Sequence, residues 1–201
     1  MIFWKKNKWR FWENEALHEA FDFAVEIFKI IVISLVIIVP VRYFLIQPFY
    51  VKGASMEPNF YNHEYLIIDE ISYRFEDPIR GETVIFRPPI AKDDFFIKRI
   101  IGLPGEKIEI KDGRVKIFNT QYPNGTYLDE SVYLPLTTYT PGDVTYDLGP
   151  GQYFVMGDNR PASLDSRTFG LITRKDIVGR TWLRGWPFNR VMIFSAPQYN
   201  I

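Results

Sequence analysis

The sequence predicts a mainly β domain behind one N-terminal transmembrane helix. Three observations carry this. Residues 27–46 are mostly apolar, and Ile30 to Val41 carry no charge. After Pro48 the apolar pattern changes from helical to strand-like. Further on, the alternating runs Lys107 to Lys111 and Arg114 to Phe118 flank Asp112-Gly113, a strong hairpin signal.

The chain begins with Lys5, Lys6, Lys8 and Arg10 set among Phe3, Trp4, Trp9, Phe11 and Trp12. Cations and aromatics together suit the cytoplasmic interface of a membrane. Leu17, Ala20, Phe21, Ala24 and Phe28 then recur at helical spacing, with Glu15, Glu19, Asp22 and Glu26 between them. Residues 1–26 thus read as an amphipathic lead-in. Residues 27–46, at about 1.5 Å each, cover about 30 Å, the hydrocarbon core of a bilayer. Lys29 and Arg42 lie near the ends, where they can snorkel. Pro40 is tolerable near the end of such a helix. A buried helix of a soluble domain is the alternative, but a run this rich in Ile and Val favours the membrane. Its length and late start fit a cleaved leader poorly. The basic start places the N-terminus in the cytoplasm and residues 47–201 outside, as a single-pass protein of the cell membrane.

Within 47–201, the segments Tyr65 to Ile68, Thr83 to Phe86 and Phe95 to Ile101 read as strands. Residues 119–150 are richer in Pro, Gly, Thr and Tyr, with turns at Asn124-Gly125 and Pro141-Gly142. That segment reads as a surface insertion or small cap, which with the preceding hairpin spans about residues 106–150. Strands resume at Gln152 to Met156, around Gly179 to Leu183 and at Val191 to Phe194. Trp182, Trp186 and Phe188 line either a membrane-facing surface or a tryptophan core.

Composition removes several functions. Lys+Arg and Asp+Glu both number 24, so bulk charge does not point to nucleic acid. There is no cysteine, which excludes thiol catalysis, disulfides and thiolate metal sites. His18 and His63 have no second histidine at ligand spacing, so neither a metal nor another cofactor is expected.

The chemistry gathers in three stretches. Gly53-Ala54-Ser55-Met56-Glu57-Pro58 offers a serine beside glycine. A serine hydroxyl needs a base, and lysine is a known substitute for histidine in that role. Phe96 to Gly105 supplies Lys98, which strand alternation groups with Phe96 and Ile100. Apolar neighbours disfavour the ammonium and lower its pKa, as a lysine base requires. Taken singly, Ser55 is an ordinary turn residue and Lys98 an ordinary edge-strand lysine. His63, in the polar turn Tyr61-Asn62-His63-Glu64, is a second, weaker candidate base. The third stretch, Gly157 to Gly170, packs turn formers and opposite charges behind the apolar run Tyr153 to Met156, as a hydrogen-bonded scaffold would.

Together, Ser55-Met56-Glu57-Pro58, Lys98-Arg99-Ile100-Ile101-Gly102-Leu103-Pro104-Gly105 and Gly157-Asp158-Asn159-Arg160 through Ser163, Asp165-Ser166-Arg167 and Gly170 resemble the bacterial type I signal peptidases. The resemblance covers about residues 27–190. It implies an antiparallel β-sheet catalytic core with a small inserted cap. It implies a serine endopeptidase that removes signal peptides from secreted preproteins at the outer membrane face, so its partners are preproteins and the lipid bilayer. By motif position Ser55 matches the nucleophile, Lys98 the base and Ser163 the hydroxyl that orients the lysine. Asp165 and Arg167 match a supporting ion pair, with Asp158 in the same scaffold. Phe49, Val51, Met56, Phe60, Phe96 and Ile97 match positions around pockets for small substrate side chains. Some relatives carry a serine where this chain has Gly53, so the Ser55 N–H, with the Gly53 N–H or water, is left to bind the oxyanion. Two other readings compete: a self-cleaving repressor-type Ser-Lys peptidase, and an inactive anchored peptide-binding β-domain.

Overall fold

The computed structural model describes residues 9–44, 47–199 and 201, with side chains described for 17–39 and from 47 onward. The basic, aromatic start at residues 1–8 lies outside the described residues. The chain divides into two units, Met1–Phe44 and Leu45–Ile201.

The first unit is a single helix, α1 (Trp9–Phe44), which runs through the lead-in and into the apolar run without a break. Its apolar side chains face outward: Ile30, Ile33, Leu35, Val36, Ile37 and Ile38 are all exposed. Among the described residues no helix is long and apolar enough to cross a membrane. Asp22, Glu26 and Lys29 interrupt the stretch whose side chains are described.

The second unit is antiparallel β. Its strands are β1 (Gln47–Tyr50), β2 (Tyr65–Asp69), β3 (Thr83–Phe86), β4 (Phe96–Gly102), β5 (Lys107–Lys111), β6 (Arg114–Phe118), β7 (Thr126–Tyr127), β8 (Val144–Asp147), β9 (Gln152–Met156), β10 (Ile172–Thr173), β11 (Ile177–Trp186) and β12 (Met192–Ile193). One sheet has the order β1-β2-β11-β3-β4-β9-β10, with β12 on β11; the other has the order β7-β6-β5-β8. Every ladder is antiparallel.

The β5–β6 hairpin turns at Asp112 (φ 51°) and Gly113 (φ 75°), both left-handed, as a two-residue turn demands. Its register pairs Ile108 with Ile117 and Ile110 with Val115, so one face is apolar. That face packs on Ile101, Phe154 and Met156. The opposite faces of β4 and β9 place Ile100, Tyr153 and Val155 in a second core with Val84, Phe86 and Ile172. Strand β9 is thus buried on both sides, which explains why Tyr153 to Met156 is continuously apolar rather than alternating. The segment read as a turn-rich surface insertion contains β7 and β8, which widen the hairpin to four strands. Trp182 and Trp186 are 46% and 47% exposed, so they are not core residues. The β11–β2 register shifts between Thr181 and Leu183 and again between Arg184 and Trp186, so Trp182 and Gly185 are the extra residues and Trp186 follows the second.

Candidate active site

Ser55 lies in the loop that leaves β1. Gly53 sets the bend with φ +93°, a conformation glycine adopts without a side-chain penalty. The loop then closes on itself: the Glu57 N–H donates to Ala54 O (3.2 Å) and the Phe60 N–H to Met56 O (2.9 Å). Met56 and Phe60 anchor it in a small core with Val51 and Leu66. From the other side Asn159 holds it, its N–H on Ser55 O (3.1 Å) and its Nδ2 on Ala54 O (3.0 Å).

Lys98 comes from the middle of β4 and is 3% exposed. Its Nζ donates to Ser55 Oγ at 2.7 Å and to Ile97 O at 2.8 Å. Burial pushes the Lys98 amine down to about 8, against the opposing pull of the Asp165 and Asp158 carboxylates. A buried amine poised near neutral pH, touching a serine hydroxyl, can take that hydroxyl's proton.

The third stretch forms three ion pairs rather than one, two of them close to the lysine. Asp165 accepts from Arg167 Nε (2.8 Å) and NH2 (2.7 Å), and from the Gly157 N–H (3.0 Å). Asp158 turns to the neighbour of the lysine instead: it accepts from Arg99 Nε (2.8 Å) and NH2 (2.6 Å), and from Asn59 Nδ2 (2.8 Å). In the sequence Arg99 stands only as a member of the second motif, with no role of its own. A cation inside an apolar strand, rarely buried unpaired, was the signal that it needed a carboxylate.

Two expected contacts differ. Ser163 Oγ is buried but has no hydrogen-bond partner among the described residues. The second Lys98 bond goes to the Ile97 carbonyl on its own strand, while Ser163 packs against Gly157, where an added Cβ would lie 2.2 Å from its Oγ. The Gly53 N–H is also committed, donating to Asn62 Oδ1 at 3.1 Å. It is therefore not free to bind an oxyanion, whereas the Ser55 N–H makes no hydrogen bond among the described residues. His63 is engaged through both ring nitrogens, Nδ1 with the Tyr50 hydroxyl and Nε2 with Asn62 Nδ2.

A groove of about 670 Å³ runs to Ser55 and Lys98, walled by Phe49, Val51, Phe96 and Ile97 and rimmed by Ala162 and Leu164. Met56 and Phe60, expected at its pockets, lie beneath it in the core, 1% exposed each. Among the described residues β1 ends the sheet with its outer edge unpaired, the kind of edge to which an extended peptide can add. Two connections had no counterpart in the sequence reading. Arg160, 1% exposed, donates to Glu130 (2.8 and 2.5 Å) and Thr140 (2.8 Å), tying the third stretch to the cap. Glu64 contacts Arg184 (2.8 Å) and Arg190 (2.7 Å), and Arg184 in turn reaches the Asn59 carbonyl of the serine loop. Among the described residues no three His, Asp or Glu side chains gather as metal ligands.

Comparison with known proteins places this chain in a family. The family described as "Signal peptidase, peptidase S26" matches residues 24–186. A probable signal peptidase I-2 of Synechocystis sp. is 38% identical over 181 residues, 85% of this chain and 77% of that protein. A signal peptidase I of Leptolyngbya laminosa is 35% identical, over 84% of this chain and 83% of its own length. A signal peptidase IB of Staphylococcus aureus is 34% identical, over 84% and 92% respectively. A match that takes in most of the chain, including all three stretches around Ser55, Lys98 and Asp165, makes this protein a member of the signal peptidase family, peptidase S26.

Proposed function

We propose that this chain removes N-terminal signal peptides from secreted preproteins, with Ser55 as nucleophile and Lys98 as general base. The observation that carries the roles is the 2.7 Å contact between Lys98 Nζ and Ser55 Oγ in a site that lowers the lysine's pKa. Neutral Lys98 takes the Ser55 proton as Oγ attacks the scissile carbonyl. The resulting ammonium passes that proton to the leaving amine, which departs with the mature chain. A water, deprotonated by Lys98, then attacks the acyl ester and restores Ser55. The Ser55 N–H is the available backbone donor for the oxyanion. Arg99–Asp158 and Arg167–Asp165 hold the strand and loop that frame the pair, and Ser163 lies in the same scaffold. The signal peptide adds to the free edge of β1, with small side chains against Phe49, Val51, Phe96 and Ile97.

Membrane attachment completes the reading. The apolar run continues past Val39 to residue 46, giving enough length to span a bilayer. The N-terminus would face the cytoplasm and the β unit the outside. Trp182, Trp186 and Phe188, all exposed, would meet the lipid interface.

One preparation tests both parts. Membranes carrying the Ser55→Ala chain, washed at alkaline pH, should retain the protein yet process no precursor ending in Ala-X-Ala, while wild type processes it. Release into the wash would refute the span, and processing by the variant would refute the nucleophile.

The lysine also sets a pH profile. Its protonated form is inactive, so kcat/KM should rise about tenfold per pH unit below about 8 and level off above it. A profile flat from pH 6 to 9 would show that Lys98 is not the titrating base.

A further inference from the structure

We propose that a second pocket, between the serine loop and the cap, binds an apolar side chain of the substrate two to four residues after the cut. The inference rests on the peptidase reading above and extends it to the leaving side of the substrate. The pocket holds about 390 Å³ and is formed by Glu57, Pro58 and Pro161 on the side of the serine loop and by Leu134, Tyr139 and Pro141 from the cap.

Its position follows from two chain segments that run past Ser55 in the same order. Along the first, Phe49 and Val51 wall the groove, Ser55 follows, and Glu57 and Pro58 wall the pocket. Along the second, taken backward, Leu164 and Ala162 rim the groove, and Pro161 and Asn159 then enter the pocket. Asn159 joins the two segments at the nucleophile through its bonds to Ser55 O and Ala54 O. Ser55 itself lines the groove, and the pocket begins two residues further along the same loop, at Glu57. If the acyl side of a peptide fills the groove, the leaving side runs toward the pocket. Pro58 is three residues beyond Ser55, a reach of at most about 10 Å, which an extended peptide covers in about three residues.

The lining chooses the ligand. Four prolines, a leucine and a tyrosine ring stand in it beside Glu57, Thr138, Asp158, Asn159 and Arg160; Asp158 and Arg160 are buried and spent on other partners, so the surface left open is mostly apolar and suits an aromatic or branched aliphatic side chain. The walls are held before any ligand arrives. Arg160 binds Glu130 and Thr140 and so ties the cap wall to the loop wall. The Tyr139 ring lies so close to the hairpin turn that a Cβ on Gly113 would overlap it, yet Tyr139 remains 65% exposed. A preformed apolar pocket with one exposed ring loses little entropy on binding.

The test uses the full chain in detergent micelles and peptides identical up to the cut. One peptide carries Gly at the second to fourth positions after it; three others carry a single Phe there. The expected result is about a tenfold higher kcat/KM for Phe at one of those positions, on the order of a partly buried aromatic side chain. Tyr139→Ala should bring that peptide down to the all-Gly rate and leave the all-Gly rate unchanged. Thr138→Trp, which fills the pocket, should do the same. Equal rates for all four peptides, cleaved in a Ser55-dependent way, would overturn the subsite alone, as would an undiminished Phe gain in both variants. Cleavage of none of them would overturn the peptidase reading and the subsite with it.

Discussion

Lys98→Met should yield a folded protein that cleaves nothing. Methionine keeps the length and apolar stem but removes the group 2.7 Å from Ser55 Oγ. Loss of a positioned base costs about 10²–10⁴ in rate; among the described residues no side chain but Lys98 hydrogen-bonds Ser55 Oγ, and both ring nitrogens of His63 are engaged by Tyr50 and Asn62. Folding should not suffer, because the change removes a desolvated cation from a site that is 3% exposed. Lys98→Arg should be equally inactive, because guanidinium stays protonated across the working pH range. Single-turnover assays on both variants, beside their melting curves, decide the matter. Substantial turnover by a folded Lys98→Met would assign the base elsewhere.

The second large effect is on stability. Arg99→Leu should destabilise the β unit by about 3–5 kcal/mol, the usual result of leaving one member of a buried ion pair alone. Asp158 has no exposed side-chain surface and would lose two of its three donors. The same change removes a bond to Gly81 O and a guanidinium 4.2 Å above the Tyr133 ring. Adding Asp158→Leu should restore part of the loss by removing the stranded charge. Thermal melting of the single and double variants measures this; a single variant that melts with wild type would mean that the pair contributes no net stability.

The β5–β6 hairpin and β3 were legible because each signal is local: alternation around Asp112-Gly113, and a short apolar run between turn formers. Strand β11 was read short, since bulges at Trp182 and Gly185 break the alternation that marks a strand. Strands β7 and β8 are short and set among Pro, Gly and Thr, so only their partners β6 and β5 make them strands. At the site, motifs singled out Ser55 and Lys98, which the fold brings into contact, and alternation put Phe96 on the lysine's face, where its ring lies 5.4 Å from Lys98 Nζ. The partners of Arg99 and Arg160 were not legible. Asp158 lies 59 positions from Arg99, and Glu130 lies 30 from Arg160. No periodicity encodes such pairings. The approach of Asp158 and Asp165 to Lys98, which moderates its pKa shift, is likewise a product of tertiary folding. Met56 and Phe60 had the right chemistry for a pocket wall but point into the core, because the turn at Ala54 to Phe60 rolls them beneath the groove.

The strand order has a kinetic consequence. The central sheet places β11, among the last strands made, between β2 and β3, among the first: Leu66 pairs with Arg184, and Val84 with Arg180. Such ladders must close very long loops before any contact rewards them, which makes a domain of this topology a slow folder. The same late strand carries Arg184, which grips Glu64 and the Asn59 carbonyl and so fastens the serine loop. During synthesis the Ser55 loop is therefore fastened only once Arg184, 125 positions after Asn59, has emerged, and until then Ser55 and Lys98 lack the frame that holds them together.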